Sequence, residues 1–315
     1  MRADRFDTDK NVVVLALDNK MVYGFQVLVQ TLVSTSQTNI FVLVGHLEGR
    51  LSSANKAHVQ MVLEWCQVDH EIVEYPVHEL FTERRHLTAT TFLKFVISDE
   101  LTRPHLWLDI DTIVTPGWDA LFEEIARAPR GVGIVVAEKL EGPNTRFEGF
   151  NAGVLGWTSK PREQWVDALR DLPEKRFSSE QYLFNTLYSD KTSSVEASYN
   201  FLSSWHEDLD ATTPPKVIHY SGPLKPWHLH RAHTGNWREI NPTWDIWFAA
   251  ESEALRSLRG SSLLRSTKRH AHRALFSGRL HKGKGAGASW FLRVLAILGA
   301  AGKPLSWALT KRAKK

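Results

Sequence analysis

A run of apolar, β-branched residues near the start of the chain most constrains its fold. The segment Asn11–Asp18 reads NVVVLALD, without alternation of polar and apolar residues, and it stops at an acidic side chain. A strand without alternation is typically buried on both faces, as in a parallel sheet that is covered by helices on each side. The segment therefore predicts an α/β fold and places Asp18 at the carboxyl end of the first strand.

The chain that follows continues as an alternation of predicted strands and helices. Further strands are predicted at Ile40–Val44, His70–Tyr75, His105–Asp109, Gly131–Ala137, Ala152–Trp157 and Lys216–His219. Helices are predicted at Gly24–Ser36, Ser52–Trp65, Thr90–Glu100, Lys160–Leu172, Ser179–Tyr188 and Thr243–Leu258. This alternation favours a mostly parallel central sheet, in which ligands bind at the carboxyl ends of the strands. No GxGxxG follows the first strand, so a dinucleotide fingerprint is absent.

Cysteine content and the distribution of residue types indicate the cellular location and the domain organisation. Cys66 is the only cysteine of the 315 residues, which excludes an internal disulfide bond and a metal cage of several cysteines. No stretch has the form of a secretory signal, so a cytoplasmic setting is expected. The predicted organisation is a flexible N-terminus over residues 1–10, a catalytic domain over residues 11–258 and a basic, amphipathic helical tail over residues 259–315.

The tail differs sharply in charge from the rest of the chain. From Leu255 onwards it holds fifteen Lys and Arg and no Asp or Glu, whereas the whole chain carries 39 basic and 35 acidic side chains. Its apolar segment, Ser289–Ala301, falls short of the roughly twenty residues that span a bilayer. Basic residues with Trp, Phe and Leu instead favour peripheral attachment to an anionic membrane surface. Aromatic residues are too sparsely interleaved for a nucleic-acid partner to be expected, and a solvated, disordered tail is the alternative.

Two aspartates one residue apart, Asp109 and Asp111, follow a predicted buried strand in the segment LWLDIDTIV. The alternation of side chains along a strand predicts that both point to one side at the edge of the sheet. Mg²⁺ and Mn²⁺ prefer oxygen ligands and commonly bridge carboxylates to substrate phosphates. Aspartate is also common in solvated turns, so the metal-binding interpretation depends on the position of the pair at the carboxyl edge.

A second motif, HYSGPLKPW, runs from His219 to Trp227 and follows the last predicted strand. A neutral imidazole can supply a nitrogen ligand to the same cation. Gly222 permits close approach of the backbone to a phosphate, and Lys225 supplies a positive charge for a diphosphate. Trp227 is expected near the site; a tryptophan of this kind stacks on a ring-shaped ligand or, more often, closes a small core.

Together, the two motifs resemble those of glycosyltransferase family 8, which includes bacterial lipopolysaccharide galactosyl- and glucosyltransferases and glycogenin. The resemblance covers about residues 11–250 and implies a GT-A fold, a nucleotide-diphospho-sugar variant of the α/β sandwich. It implies Asp109, Asp111 and His219 as metal ligands, with Mn²⁺ or Mg²⁺ as the cofactor. Donor contacts are implied for these residues: Asp18 at the uracil, Asp109 and Ile110 within the D-I-D motif, and Gly222 and Lys225 at the diphosphate.

Further site residues are implied by the same resemblance. Asn151, in the segment FNAGV, matches a family Asn near the donor sugar. Glu180 and Gln181 match a family Asp-Gln pair beside the reacting carbon, with a longer Glu in place of the usual Asp. Glu138 is implied at the sugar hydroxyls and Lys94 near the donor. Each has an ordinary alternative: a residue that opens a strand, a helix-capping carboxylate, or a solvated side chain.

The implied reaction is transfer of galactose or glucose from a UDP-hexose to a glycan or lipid-linked saccharide, with retention of configuration, as in lipopolysaccharide biosynthesis. Gln181 is a poor nucleophile, which favours same-face substitution, although a covalent adduct on Glu180 stays open. The expected location is peripheral, on the inner face of the cell membrane. Two other functions stay open: a catalytically inactive UDP-sugar-binding scaffold and a nucleotidyltransferase.

Overall fold

A computed structural model describes residues 9–81, 88–140, 149–158, 164–171, 180–210, 215–221, 225–228 and 242–275. Its strands are β1 Asn11–Ala16, β2 Ile40–Leu47, β3 Asp69–Tyr75, β4 His105–Leu108, β5 Thr112–Val114, β6 Ile134–Ala137, β7 Val154–Trp157, β8 Thr192–Val195, β9 Phe201–Leu202 and β10 Val217–His219. Its α-helices are α1 Val22–Thr35, α2 Ser53–Trp65, α3 Leu93–Glu100, α4 Leu121–Arg127, α5 Trp165–Asp171, α6 Glu180–Tyr188, α7 Pro242–Ser257 and α8 Ser262–Leu275.

The central sheet has seven strands in the order β3-β2-β1-β4-β7-β6-β8. Strands β3, β2, β1 and β4 are parallel, whereas β7 is antiparallel to both of its neighbours and β6 pairs parallel with β8. The predicted α/β fold with a mostly parallel sheet is therefore confirmed. Because β7 runs the other way, its N-terminal end lies at the same edge as the carboxyl ends of β1, β4 and β6.

Helices cover the sheet on both faces, which explains the uninterrupted apolar run of β1. Val13 and Leu15 belong to one core cluster with Phe25 of α1, while Val12 and Val14 belong to a second with Phe95 of α3. Successive residues of β1 thus face opposite helical layers. Both faces of the strand are buried, so apolar side chains are favoured at every position. The predicted boundaries are close to those observed. Ser52 caps α2 by accepting a hydrogen bond from the Asn55 N–H at 3.3 Å.

A smaller three-stranded sheet, in the order β5-β10-β9, adjoins the central sheet. Strand β10 pairs antiparallel with β5, with His219 opposite Thr112, and parallel with β9. Because β5 begins just after β4, this pairing brings the end of β10 to the carboxyl edge of the central sheet. The sequence pattern predicted β10 but neither β5 nor β9, which are only three and two residues long.

Helix α8 is the first part of the predicted basic tail, and it packs on α1 and α2. The His58 imidazole of α2 links α8 to α1, with Nδ1 2.9 Å from Ser266 Oγ of α8 and Nε2 3.1 Å from Gln26 Oε1 of α1. Thr267 donates to the same Gln26 oxygen at 2.9 Å. This segment is therefore docked by specific hydrogen bonds on the helices of the predicted catalytic domain. The rest of the tail, residues 276–315, and the predicted flexible N-terminus through residue 8 lie outside the described residues.

None of the helices in the ranges described above is long and apolar enough to cross a membrane.

Candidate active site

Asp109 and Asp111 lie in a tight turn between β4 and β5. The strand ends at Leu108 rather than at Asp109, and the Thr112 N–H donates to the Asp109 carbonyl at 3.2 Å. The two carboxylates therefore meet across a turn, and not through alternation along a strand as the sequence argument assumed. The Thr112 hydroxyl donates to the same carbonyl at 2.8 Å, which further fixes the turn.

His219 completes a three-residue group with the two aspartates. One possible ligand atom from each residue lies within 4.8 Å of the others. His219 Nε2 is 3.3 Å from Asp111 Oδ1 and 4.0 Å from Asp109 Oδ2. Two carboxylate oxygens and one imidazole nitrogen suit Mn²⁺ or Mg²⁺, so the donor set fits the predicted cation.

Two buried lysines lie against these carboxylates, one on each side. Lys94 of α3 places Nζ 3.0 Å from Asp109 and 3.2 Å from Glu180, and donates to the Ala152 carbonyl at 2.8 Å. Lys225 forms an ion pair with Asp111 and donates to the Tyr220 carbonyl at 2.8 Å. Lys94 is only 1% exposed, which excludes the solvated alternative for this side chain.

The charges shift the pKa values in opposite directions at the two aspartates. Burial raises the pKa of the Asp109 carboxyl, and the nearby Asp111 adds to the rise, so that together they outweigh the attraction of Lys94. At Asp111, burial also favours the neutral acid, but Lys225, together with His219 when its ring carries a second proton, outweighs it and holds the pKa well below its usual value. The Lys94 pKa is raised, because its two carboxylate partners outweigh the effect of its burial.

On the other side of the turn, three amide side chains form a connected network. Asn151 donates from Nδ2 to Gln181 Oε1 at 3.0 Å and accepts on Oδ1 from the Gly153 N–H at 2.9 Å. Asn200 donates from Nδ2 to the same Asn151 oxygen at 3.0 Å, and its own Oδ1 lies 3.1 Å from His219 Nδ1. The network therefore connects Gln181 at the start of α6 to the proposed metal ligand.

Asn200, Gly153 and Trp107 were not identified from the sequence as site residues. Trp107 Nε1 donates to Asp109 Oδ1 at 2.8 Å and so orients that carboxylate. A methyl group on Gly153 would lie 2.1 Å from His219 Cε1, so this glycine leaves room for the imidazole. The tryptophan beside the double aspartate and the glycine of FNAGV were visible in the sequence, but their contacts depend on the tertiary fold.

The other predicted residues fall in different places. Asp18 follows β1 at the same edge and accepts from the Lys20 N–H at 2.8 Å. Ile110 is buried in the core. Glu138 is exposed at the end of β6 and, within the described ranges, makes no hydrogen bond or ion pair with the three ligands. Gly222 lies outside the described residues.

Trp227 has the second of its two expected roles, because its side chain closes a core. It is 1% exposed and packs on Trp247 with ring centroids 4.7 Å apart. Its ring lies against Gly24 of α1, where a methyl group would come within 3.0 Å of Trp227 Cη2. The side chain closes a core between α1, α7 and the smaller sheet, so its face is not available to a ligand.

Comparison with known proteins gives the family. The model of glycosyl transferase family 8 matches residues 12–231. The chain belongs to this family. Glycosyltransferase GlyE of Streptococcus pneumoniae is 29% identical over 181 residues, which cover 49% of this chain and 41% of GlyE. Glycosyltransferase GlyD of the same organism is 26% identical over 185 residues, or 51% of this chain and 22% of GlyD. The matched region thus spans less than half the length of either relative.

Solved structures of family members show the same fold. The galactosyltransferase LgtC, solved with donor and acceptor sugar analogues, superposes with a TM-score of 0.57 at 21% identity, covering 74% of this chain and 95% of LgtC. The GlyE crystal structure gives a TM-score of 0.58 at 21% identity, covering 78% of this chain and 63% of GlyE. The fold is therefore the GT-A fold that the sequence motifs implied.

Proposed function

We propose that this protein is a retaining glycosyltransferase that moves galactose or glucose from a UDP-hexose to a glycan or lipid-linked saccharide. The observation that carries the proposal is the group Asp109, Asp111 and His219, with Lys225 beside it. A cation ligated by oxygen and nitrogen next to a buried lysine suits a diphosphate, which carries several negative charges. Family membership makes a nucleotide-sugar the expected source of that diphosphate.

The proposed cofactor is Mn²⁺ or Mg²⁺, held by Asp109, Asp111 and His219. When bound, such a cation neutralises the negative charge that develops on a leaving diphosphate. Lys225 would add to this stabilisation by moving from Asp111 to the phosphate oxygens, because the cation then takes over the neutralisation of Asp111. Asp18 and the Ile110 backbone, at the adjacent strand ends, are the proposed contacts for the nucleoside.

The residues proposed around the sugar differ in whether their side-chain oxygens already accept hydrogen bonds. The Gln181 oxygen already accepts from Asn151 and, at 3.4 Å, from the Ala152 N–H, so it is occupied and unsuited to attack. Lys94 holds Glu180 Oε1, whereas Oε2 is buried and has no hydrogen-bond partner in the described part of the chain. A buried carboxylate oxygen without a donor is costly, so a sugar hydroxyl is its proposed partner.

These contacts support same-face substitution, with Glu180 as a positioning group for the sugar. A carboxylate that is held by a buried lysine is a weaker nucleophile than a free one, which disfavours a covalent adduct. In this proposal the leaving phosphate accepts the proton of the attacking hydroxyl. Anomer analysis by NMR tests retention, and mass spectrometry that detects a glycosyl adduct on Glu180 would overturn the preference for same-face substitution.

Peripheral binding to an anionic membrane is proposed for the basic C-terminal part. In its described portion, α8 exposes Arg265, Lys268, Arg269 and Arg273 and has no acidic residue. Cations near an anionic lipid surface contribute about 1 kcal/mol each. Co-sedimentation of the whole chain with phosphatidylserine vesicles tests this proposal, and equal binding to neutral phosphatidylcholine vesicles would contradict the electrostatic argument.

The activity is tested by release of UDP from UDP-glucose, UDP-galactose and UDP-N-acetylglucosamine in the presence of Mn²⁺. We expect release from at least one hexose donor, loss of that release in Asp111→Ala, and full activity in Glu123→Ala, a control at an exposed carboxylate of α4. The second candidate function, an inactive UDP-sugar-binding scaffold, predicts binding without release. The intact set of three ligands and Lys225 favours the enzyme, because loss of a ligand is the expected mark of an inactive relative.

A further inference from the structure

We propose that Asn200 is a positioning residue that selects the tautomer of His219, so that Nε2 of the imidazole is the metal ligand. Asn200 is 2% exposed and ends a short 3₁₀ helix, Ala197–Asn200, directly before β9. Since β9 pairs in parallel with β10, Asn200 is fixed beside the strand that carries His219. The inference rests on the proposed function only in naming the ligand that the tautomer serves.

The direction of the Asn200 amide follows from its other partners. Its second hydrogen-bonding group lies 3.0 Å from Asn151 Oδ1 and 3.2 Å from the Asn151 carbonyl oxygen. A backbone carbonyl only accepts, so the Asn200 group that faces it must be the NH₂. The Asn200 oxygen therefore faces His219, and a rotated amide would place oxygen against two acceptors.

The direction of the Asn151 amide is fixed in the same way. Asn151 Oδ1 accepts from the Gly153 N–H, a backbone donor that cannot change its role. Its Nδ2 then donates to Gln181, whose oxygen also accepts from the Ala152 N–H. Backbone groups thus set the polarity of the whole network, and no choice of side-chain rotamer reverses it.

The orientation of the Asn200 amide determines which nitrogen of the His219 imidazole carries the proton. Because the Asn200 oxygen accepts only, the neutral ring of His219 must carry its proton on Nδ1, at 3.1 Å. The lone pair of Nε2 then points toward Asp111 Oδ1, 3.3 Å away, and repels it unless a cation lies between them. Without Asn200 the ring would prefer the opposite tautomer, since an Nε2 proton could bind Asp111 directly. That proton would block the ligand position.

Two substitutions of Asn200 separate positioning from packing. Asn200→Ala removes the acceptor, and outer-shell losses of this kind lower metal affinity about 10- to 100-fold. Asn200→Asp keeps an acceptor for the Nδ1 proton but loses the donor to the two Asn151 oxygens, so it is expected to keep the Nδ1–H tautomer of His219. Asn185→Ala is the matched control, because Asn185 hydrogen-bonds Phe150 and the Gln181 carbonyl on the far side of the network.

Two measurements report on the proposal without activity. Isothermal titration with MnCl₂ gives the affinity of each variant. ¹⁵N NMR of histidine-labelled, metal-free protein at alkaline pH gives the tautomer of His219, assigned with His219→Asn. We expect the Nδ1–H form in wild type and in Asn185→Ala, and a shift toward Nε2–H in Asn200→Ala. Thermal unfolding of the three variants checks that each is folded.

The inference is overturned if Asn200→Ala keeps the Nδ1–H tautomer and wild-type Mn²⁺ affinity, or if Asn200→Asp shifts to the Nε2–H tautomer. Failure of the proposed function looks different. In that case the wild-type protein releases no UDP, while the tautomer still depends on Asn200.

Discussion

Replacement of Gly153 by alanine is the sharpest perturbation of the proposed metal site that the structure offers. The added methyl group would lie 2.1 Å from Cε1 and 2.4 Å from Nδ1 of His219. Non-bonded carbon atoms do not approach much closer than about 3 Å, so the ring must retreat by about 1 Å. A metal ligand tolerates an error of only about 0.2 Å in its bond length, so this displacement would remove His219 from the proposed coordination sphere.

We expect Gly153→Ala to lower Mn²⁺ affinity by about two orders of magnitude, equal to about 2.7 kcal/mol, and kcat/KM by at least as much. Overpacking also costs about 1–3 kcal/mol of folding stability, so the loss of metal affinity must be separated from unfolding. Isothermal titration with MnCl₂ measures the affinity, and urea unfolding followed by circular dichroism measures the stability.

Gly156→Ala, on the strand β7 that directly follows Gly153, supplies the matched control. Its methyl group would lie 2.5 Å from Cγ1 and 2.9 Å from Cδ1 of Ile125, an apolar side chain of α4 away from the metal site. This variant should lose stability similarly and still bind Mn²⁺ like the wild type. The reasoning is refuted if Gly153→Ala binds Mn²⁺ normally while folded, or if Gly156→Ala loses affinity to the same extent.

Three other perturbations test the charges of the structure. Lys94→Met leaves Glu180 buried without its cation, and we expect a loss of about 3–5 kcal/mol in the free energy of urea unfolding; a loss below about 1 kcal/mol would contradict the role of Lys94. Lys225→Ala removes the cation that competes at Asp111, so Mn²⁺ alone should bind several-fold more tightly while UDP with Mn²⁺ binds about tenfold more weakly; titrations in which both affinities fall would refute this competition. Burial and neighbouring positive charges lower the pKa of His58 from 6.5 to about 3, so the unfolded chain binds the extra proton between these values. Stability should therefore fall as pH drops through this window, by up to about 1.4 kcal/mol per pH unit from this residue; urea unfolding at several pH values measures the slope, and an unchanged slope in His58→Gln would contradict the assignment.

Some strands could be predicted from sequence because their burial produces a recognisable run of apolar residues within one short segment. After Asn11, strand β1 is apolar through Ala16 because helices cover both faces of the sheet. The sequence of this segment alone therefore indicates a strand and where it ends. Strand β8 reads TSSV at the edge of the sheet and has no such pattern. Its conformation comes from pairing with β6, an interaction that no local pattern records.

The same division applies to the candidate site. Asp109, Asp111 and His219 were predicted because they follow predicted strands in two motifs that together resemble those of one family. Asn200 was missed because an asparagine before a two-residue strand resembles any loop residue. Its importance comes from its neighbours, since it contacts Asn151 and His219 only after β9 and β10 have paired.

Gly153 shows why even a recognised motif can be interpreted for the wrong reason. From sequence, a glycine at the start of a strand indicates a bulge or unusual backbone angles. The backbone of Gly153 is not among the glycines with positive φ in the described part of the chain, so freedom of φ does not explain it. The explanation is the imidazole of His219, which lies where a side chain would begin. The glycine of FNAGV and the histidine of HYSGPLKPW therefore depend on each other. The turn before β7 must lack a side chain at Gly153 for the imidazole of His219, the proposed third metal ligand, to fit. A larger side chain at Gly153 should consequently displace the His219 imidazole, and a smaller side chain at residue 219 should allow alanine at residue 153.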